Sequence, residues 1–118
     1  MSADGPIVSG PGDGERLERS DRTLTVKVDL PQFSATEIEF EPSFRVDQHT
    51  HSDHVDAFYV LEGEVEFLLA GGPRRAGPGT LVAVPPGVLH GFANPGPGRA
   101  RLLNFHAPDA GFAASLER

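Results

Sequence analysis

The stretch His49-Thr50-His51-Ser52-Asp53-His54-Val55-Asp56-Ala57-Phe58-Tyr59-Val60-Leu61-Glu62-Gly63 decides how the rest of the chain is read. It gathers three of the chain's 5 histidines, adds a carboxylate, and then runs into an apolar strand. On a β-strand, residues two apart share a face with their Cα atoms about 6.7 Å apart. His49 and His51 are therefore close enough to grip one ion. A turn and a second strand would bring Asp56 across from them, a geometry in which nitrogen and oxygen donors hold a metal at about 2.0–2.2 Å. On that second strand Asp56, Phe58 and Val60 share a face, and Tyr59 points the other way, where a subunit contact would form. His54 falls in the turn at odd parity to the others, which predicts solvent exposure and not ligation.

Upstream, parity over Phe44 to His51 places Asp47, His49 and His51 on one face. Farther back, Leu24, Val26 and Val28 alternate with Thr25 and Lys27, the period of a half-buried strand that Pro31 ends. Ile38 and Phe40 alternate with Glu37, Glu39 and Glu41, a strand with a solvated acidic face. The first residues are rich in Gly and Pro and poor in apolar side chains. This sets residues 1–22 apart as a flexible N-terminal arm and 23–118 as a single domain.

Downstream, Glu62-Gly63-Glu64 reads as a tight turn, and Val65, Phe67 and Leu69 continue the alternation on a strand that closes a hairpin. Gly71 to Gly79 reads as a loop carrying the solvated pair Arg74-Arg75. Thr80 to Val84 is a continuous apolar run, which suggests burial on both faces. After the Pro85-Pro86-Gly87 stop, His90, Phe92 and Asn94 share a face. Arg99 to His106 forms the last strand, and Gly111 to Arg118 a short terminal helix. No segment keeps a 3.6-residue period over three turns, so the expected fold class is all-β.

A chain of 118 residues fits one domain and buries roughly two-thirds of its unfolded surface. Its 17 acidic against 10 basic residues give a formal charge of -7. That charge repels phosphate backbones and argues against nucleic-acid or anionic-membrane partners. A strongly anionic substrate would need a local basic site. With no cysteine, disulfides, thiolate metal sites and cysteine nucleophiles are excluded, and a metal must be held by His and carboxylate. The N-terminus lacks the charged start and apolar run of a signal peptide, and no apolar stretch has the length of a membrane helix. The expected location is cytoplasmic.

The two histidine-bearing stretches resemble the paired motifs of the cupin family. The first is similar to G-x5-H-x-H-x(3,4)-E-x6-G, with Ser43 at the opening glycine, His49 and His51 at the histidines, Asp56 at the glutamate and Gly63 at the end. The second is similar to G-x5-P-x-G-x2-H-x3-N, matched throughout by Gly79, Pro85, Gly87, His90 and Asn94. The short spacer between Gly63 and Gly79 resembles that of small single-domain microbial cupins. The resemblance implies a jelly-roll β-barrel whose metal ligands are His49, His51, Asp56 and His90. The metal it implies is one divalent transition ion (Fe, Mn, Ni or Zn). A homodimer acting on a small-molecule substrate is implied as well.

Two departures bear on the site. Ser43 for glycine changes local backbone freedom only. Asp56 is shorter than glutamate by one carbon–carbon bond of about 1.5 Å. Either the strand moves inward, or a water fills the gap, or histidines alone hold the ion. Its plainer role is to accept a hydrogen bond that orients a ligating imidazole. His106, two residues after Asn104, is either a satisfied histidine at the barrel mouth or a catalytic acid or base. Asn94 reads as a turn-stabilising group, and Phe58, Phe67 and Phe92 as core.

For function, the resemblance implies a metal-dependent enzyme, with a lean to dioxygenase-type oxidoreductase chemistry similar to that of quercetin dioxygenases. The alternatives are a non-redox isomerase, cyclase or lyase using the same ion, and a non-catalytic module that binds a small ligand or a metal.

Overall fold

A computed structural model describes residues 5–111 of the chain. Ten strands are formed: β1 (Glu15–Glu18), β2 (Arg22–Leu30), β3 (Phe33–Phe40), β4 (Arg45–His49), β5 (Val55–Glu62), β6 (Val65–Leu69), β7 (Gly72–Ala76), β8 (Leu81–Val84), β9 (His90–Ala93) and β10 (Ala100–Ala107). No helix is present among the described residues, and so none there is long and apolar enough to cross a membrane. The helix expected for Gly111 to Arg118 lies, from residue 112 onward, outside the described residues. The strands make two antiparallel sheets, one of six strands in the order β1-β2-β3-β10-β5-β8 and one of four in the order β4-β9-β6-β7.

The period-two pattern explains the layers. Residues 56, 58 and 60 of β5 and 100, 102, 104 and 106 of β10 are all buried between the sheets, while their odd neighbours face out. Tyr59 is exposed, as its parity requires. Phe40, Phe58, Phe67 and Phe92 meet in the middle, with ring centroids 5.4–6.5 Å apart and planes inclined by 51–68°, the tilted arrangement that aromatic quadrupoles favour. Val60, Val65 and Leu102 complete an apolar core that fills one end of the sandwich.

Several local expectations are corrected. Glu15–Glu18 lies in the stretch read as an arm, yet it pairs with β2 as the outer strand of the larger sheet. The Gly63 turn does not close a hairpin, because β5 belongs to the larger sheet and β6 to the smaller. The turn carries the chain between layers. Gly63 has φ +76, and a Cβ there would stand 2.7 Å from the Arg99 carbonyl oxygen, so glycine is required for the crossing. The supposed loop around Arg74-Arg75 contains β7, whose Pro73 is tolerated because β7 is an edge strand. The apolar run of β8 is not buried on both faces. It too is an edge strand, with Leu81 61% exposed and Val84 turned inward.

The most consequential correction concerns β4. Its pairing with β9 matches Val46 to Phe92 and then His49 to His90, with a register shift between. Asp47 and Gln48 together oppose Gly91, a β-bulge. Phe44 and Val46 therefore pack on the core, and the extra residue turns His49 to the same inner side. Asp47 does not share that face: its side chain is 86% exposed and bonds Arg45 at 2.7 Å. The bulge fits only because residue 91 has no side chain. A Cβ there would overlap the Val46 carbonyl oxygen and lie 2.9 Å from the Asp47 carbonyl carbon.

Gly91→Ala is expected to destabilise the fold by about 1–3 kcal/mol through this overlap. Gly71→Ala, at a position with nothing within 4 Å, should change the melting midpoint little. Denaturant melts of both variants check this, and equal midpoints would show that the bulge does not depend on Gly91.

Candidate metal centre

Three elements of the smaller sheet and its loops supply imidazoles, and the larger sheet supplies a carboxylate. His49 and His90 are ladder partners on β4 and β9. His49 Nδ1 donates to the Asp47 carbonyl at 2.8 Å, and His90 Nδ1 donates to the Val88 carbonyl at 2.9 Å. Because a carbonyl only accepts, each Nδ1 carries the proton, and in the neutral ring Nε2 keeps the lone pair. Both Nε2 atoms point between the sheets. His51 lies just past the end of β4, where the Gly87 N–H donates to its carbonyl at 2.6 Å. The Pro85-Pro86-Gly87 turn of the second motif thus anchors a histidine of the first.

Asp56 enters from β5. Its Oδ1 accepts from Asn104 Nδ2 at 2.6 Å, and its Oδ2 lies 2.8 Å from His90 Nε2 and 3.5 Å from His51 Nε2. His49 Nε2 and His51 Nε2 face each other at 3.1 Å. One ligand atom from each of His49, His51, Asp56 and His90 lies within 4.8 Å of all the others. Donors bound at about 2.1 Å and at right angles to one another stand about 3.0 Å apart. The separations of 2.8, 3.1 and 3.5 Å are close to that spacing within a cluster that reaches 4.8 Å, and the donor set of three imidazoles and one carboxylate suits a divalent transition ion. These four residues could hold such an ion, and the aspartate reaches the cluster through Oδ2 despite its shorter side chain.

His49, His51 and Asp56 line a cavity of about 410 Å³ whose walls also include Leu24, Ile38, Phe44, Phe58 and Phe92. Asn104 and His106 also line it. His106 is the ladder partner of Asp56, is buried, and has Nε2 3.4 Å from Asp56 Oδ1. Asn104 was not singled out in the sequence, although its two-residue spacing from His106 put both on one face. It bridges Asp56 Oδ1 and the Ala57 carbonyl, and so fixes which carboxylate oxygen faces the imidazoles. Asn94 is the turn-stabilising group expected: it donates to the Phe40 and Gly98 carbonyls and accepts from the Gly96 N–H.

His54 is the expectation that fails. It is 6% exposed, with its ring 4.3 Å from that of His51 and 5.1 Å from that of His106. Strand parity does not govern it because it precedes β5. The Asp53 carboxylate, bonded to His54 Nδ1 at 2.8 Å, takes the solvent-facing position while the ring folds inward. Its Nε2 is buried and has no hydrogen-bond partner among the described residues.

Comparison with known proteins gives the same frame. Residues 36–106 match the family described as Cupin domain. The chain is 29% identical over 91 residues to quercetin 2,3-dioxygenase of Bacillus subtilis (strain 168), covering 74% of this chain and 27% of that one. It therefore spans about a quarter of that relative's length. An RmlC-like cupin from Shewanella frigidimarina NCIMB 400 is similar in structure, with TM-score 0.78 and 22% identity over 90% of this chain and 94% of that one. A sugar phosphate isomerase of the cupin superfamily from Silicibacter pomeroyi DSS-3 is similar with TM-score 0.68 and 22% identity, covering 75% of this chain and 60% of that one.

The ionisable groups pull against one another. Burial works against the charge on Asp56, but the hydrogen bonds from His90 and Asn104 outweigh it and hold the carboxyl below its ordinary value. Burial also pulls the His90 imidazole down, and its bonds to Asp56 and the Val88 carbonyl overcome this and raise it. For His51, burial and then the neighbouring His54 hold the imidazole below its ordinary value. His106 is likewise lowered, by burial first, against the pull of Asp56. The stability that His90 contributes to the metal-free protein is thus full below about pH 6.5 and lost as pH rises through its raised value. Those of His51 and His106 are full above about pH 6.5 and lost as pH falls through their lowered values. An NMR titration of the metal-free protein is expected to show His90 losing its proton at higher pH than His51 and His106. The reverse order would contradict the assigned Asp56–His90 bond.

Proposed function

The chain belongs to the cupin family, and from that premise we propose that it is a metal-dependent enzyme acting on a small organic substrate inside the barrel, with dioxygenase-type chemistry. The observation that carries this reading is the convergence of His49, His51, Asp56 and His90 at the end of an apolar cavity large enough for a small molecule. The likeness to a quercetin 2,3-dioxygenase supports the oxidative version. A divalent ion there would supply Lewis acidity and, if redox-active, a meeting place for substrate and dioxygen.

The chain's own residues have separate tasks. The Asp47 and Val88 carbonyls hold His49 and His90 in the tautomer that presents Nε2 to the centre. Asn104 fixes Asp56. The phenylalanine walls exclude water and pack the substrate body. His106, kept neutral by burial and facing the cavity, can take a proton at a ring nitrogen and return it, within reach of the Asp56 charge that would stabilise its cationic form. That same placement supports the second reading, a non-redox isomerase, cyclase or lyase in which His106 moves the proton. The likeness to a sugar phosphate isomerase accords with it.

Purified protein is expected to carry about one transition metal ion per chain. His90→Ala should lower its affinity by more than the about 10–100-fold expected for Asn104→Ala, which removes only a supporting bond. Metal content should fall as pH drops through about 6.5, where imidazole protonation competes. Oxygen uptake screened over small phenols, diketones and sugar acids separates the chemistries. Turnover that persists without oxygen supports the isomerase, cyclase or lyase reading. A protein that takes up no metal, and whose ligand binding is untouched by His49→Ala, is a non-catalytic module.

A further inference from the structure

A basic group reaches the cavity of this acidic chain. The chain has 17 acidic and 10 basic residues, yet the cavity walls include Arg22 and Arg45 beside the carboxylate of Asp56; Arg45 is turned outward to Asp47 at 2.7 Å, which leaves Arg22 as the basic group of interest. The Asp56 carboxylate is already turned toward the imidazoles. Arg22 stands at the other end. Arg22 begins β2 at the level of Phe40, whereas Asn104 and His106 pair with Thr36 and Ser34 at the far end of β3. Phe40 and Thr36 stand four residues apart on β3. Four residues of extended strand span roughly 13 Å, so the basic end and the ligand cluster are separated by about the length of a small aromatic acid.

Arg22 is aimed and not merely nearby. The Glu41 N–H donates to the Asp21 carbonyl at 2.9 Å, which ties down the start of β2, and the Arg22 guanidinium lies 5.0 Å from the centre of the Phe44 ring. Its side chain is 33% exposed. A guanidinium offers five N–H donors in a planar fork, and among the described residues only Nη1 is engaged, by Asp21 at 2.9 Å. The remaining edge is available to a second carboxylate. Between this fork and the ligand cluster the walls are apolar.

We propose that Arg22 binds the carboxylate of a substrate whose apolar body fills the cavity and whose other end reaches the metal ligands. The substrate class is thus an amphipathic organic acid. This rests on the metal-centred reading for the far end of the substrate, while the carboxylate site itself stands on Arg22 alone.

The test uses the full chain, loaded with zinc or stripped of metal, and a matched pair of probes, 4-phenylbutyrate and its uncharged amide, measured by NMR titration. Wild type is expected to bind the acid about ten-fold or more tightly than the amide, the difference a charge-assisted bidentate contact supplies. Arg22→Gln should bring the ratio near one with metal content and melting midpoint unchanged, and Arg22→Lys should keep part of it. The preference should survive in His49→Ala and in stripped protein even if no metal function exists. That separates failure of this proposal from failure of the metal reading. Equal binding of the two probes by wild type, or no binding of the acid at millimolar concentration, overturns it. So does a preference that vanishes with the metal and is unmoved by Arg22→Gln.

Discussion

The Asp56 carboxylate facing the His90 imidazole at 2.8 Å is the contact on which the inner end of this barrel depends. It is made across the gap between the sheets, by two residues that are 4% and 2% exposed. Either group alone would be costly there, since a buried charge without a partner loses its hydration and gains nothing in return. Together they satisfy one another, and Asn104 and the Val88 carbonyl take up the remaining valences. The interior therefore has two regimes. Phenylalanines and branched aliphatics fill one end, and a polar cluster tied to both sheets occupies the other. Phe58, two residues along β5 from Asp56, sits at the border and packs against both Phe92 and the His90 ring.

His49 and His51 stand beside that contact, and the bulge in β4 is what turns His49 toward it. A strand of strict alternation that buried Phe44 and Val46 would have turned His49 to solvent. One additional residue opposite Gly91 restores it to the interior, and the missing Cβ of Gly91 is the space the bulge occupies. Packing and ligation are thus reconciled by one backbone irregularity. The charges follow a related division of labour. Outside the larger sheet, Arg99 and Arg101 bridge Glu37, Glu39, Glu41 and Glu62, pairs that are partly exposed and individually worth little. They leave the acidic face expected for β3 half covered.

Much of the site was legible from spacing. The motif positions of His49, His51, Asp56 and His90 meet in one cluster, and parity correctly turned Phe58, Phe92 and Asn94 inward and Tyr59 outward. The illegible parts share a cause. Alternation reports that a residue has an inner or an outer face, but not which strand lies beside it. Hence the Gly63 turn looked like a hairpin though it changes sheets, and the apolar run of β8 looked doubly buried though it lies at an edge. His54 and Asp47 failed because parity counts residues along an unbroken strand. One of them lies in a loop and the other in a bulge.

By itself, then, the sequence determined the strand faces and the all-β class, because these follow from residue spacing on a pleated chain, and its motif resemblance named the four residues that converge. The tertiary structure alone decided how they converge. It set the offset of β4 against Gly91, the choice of Asp56 Oδ2 by Asn104, the inward fold of His54 and the meeting of Arg22 with Phe44. Each of these depends on contacts between segments tens of residues apart, and such contacts are settled only when the two sheets close on one another.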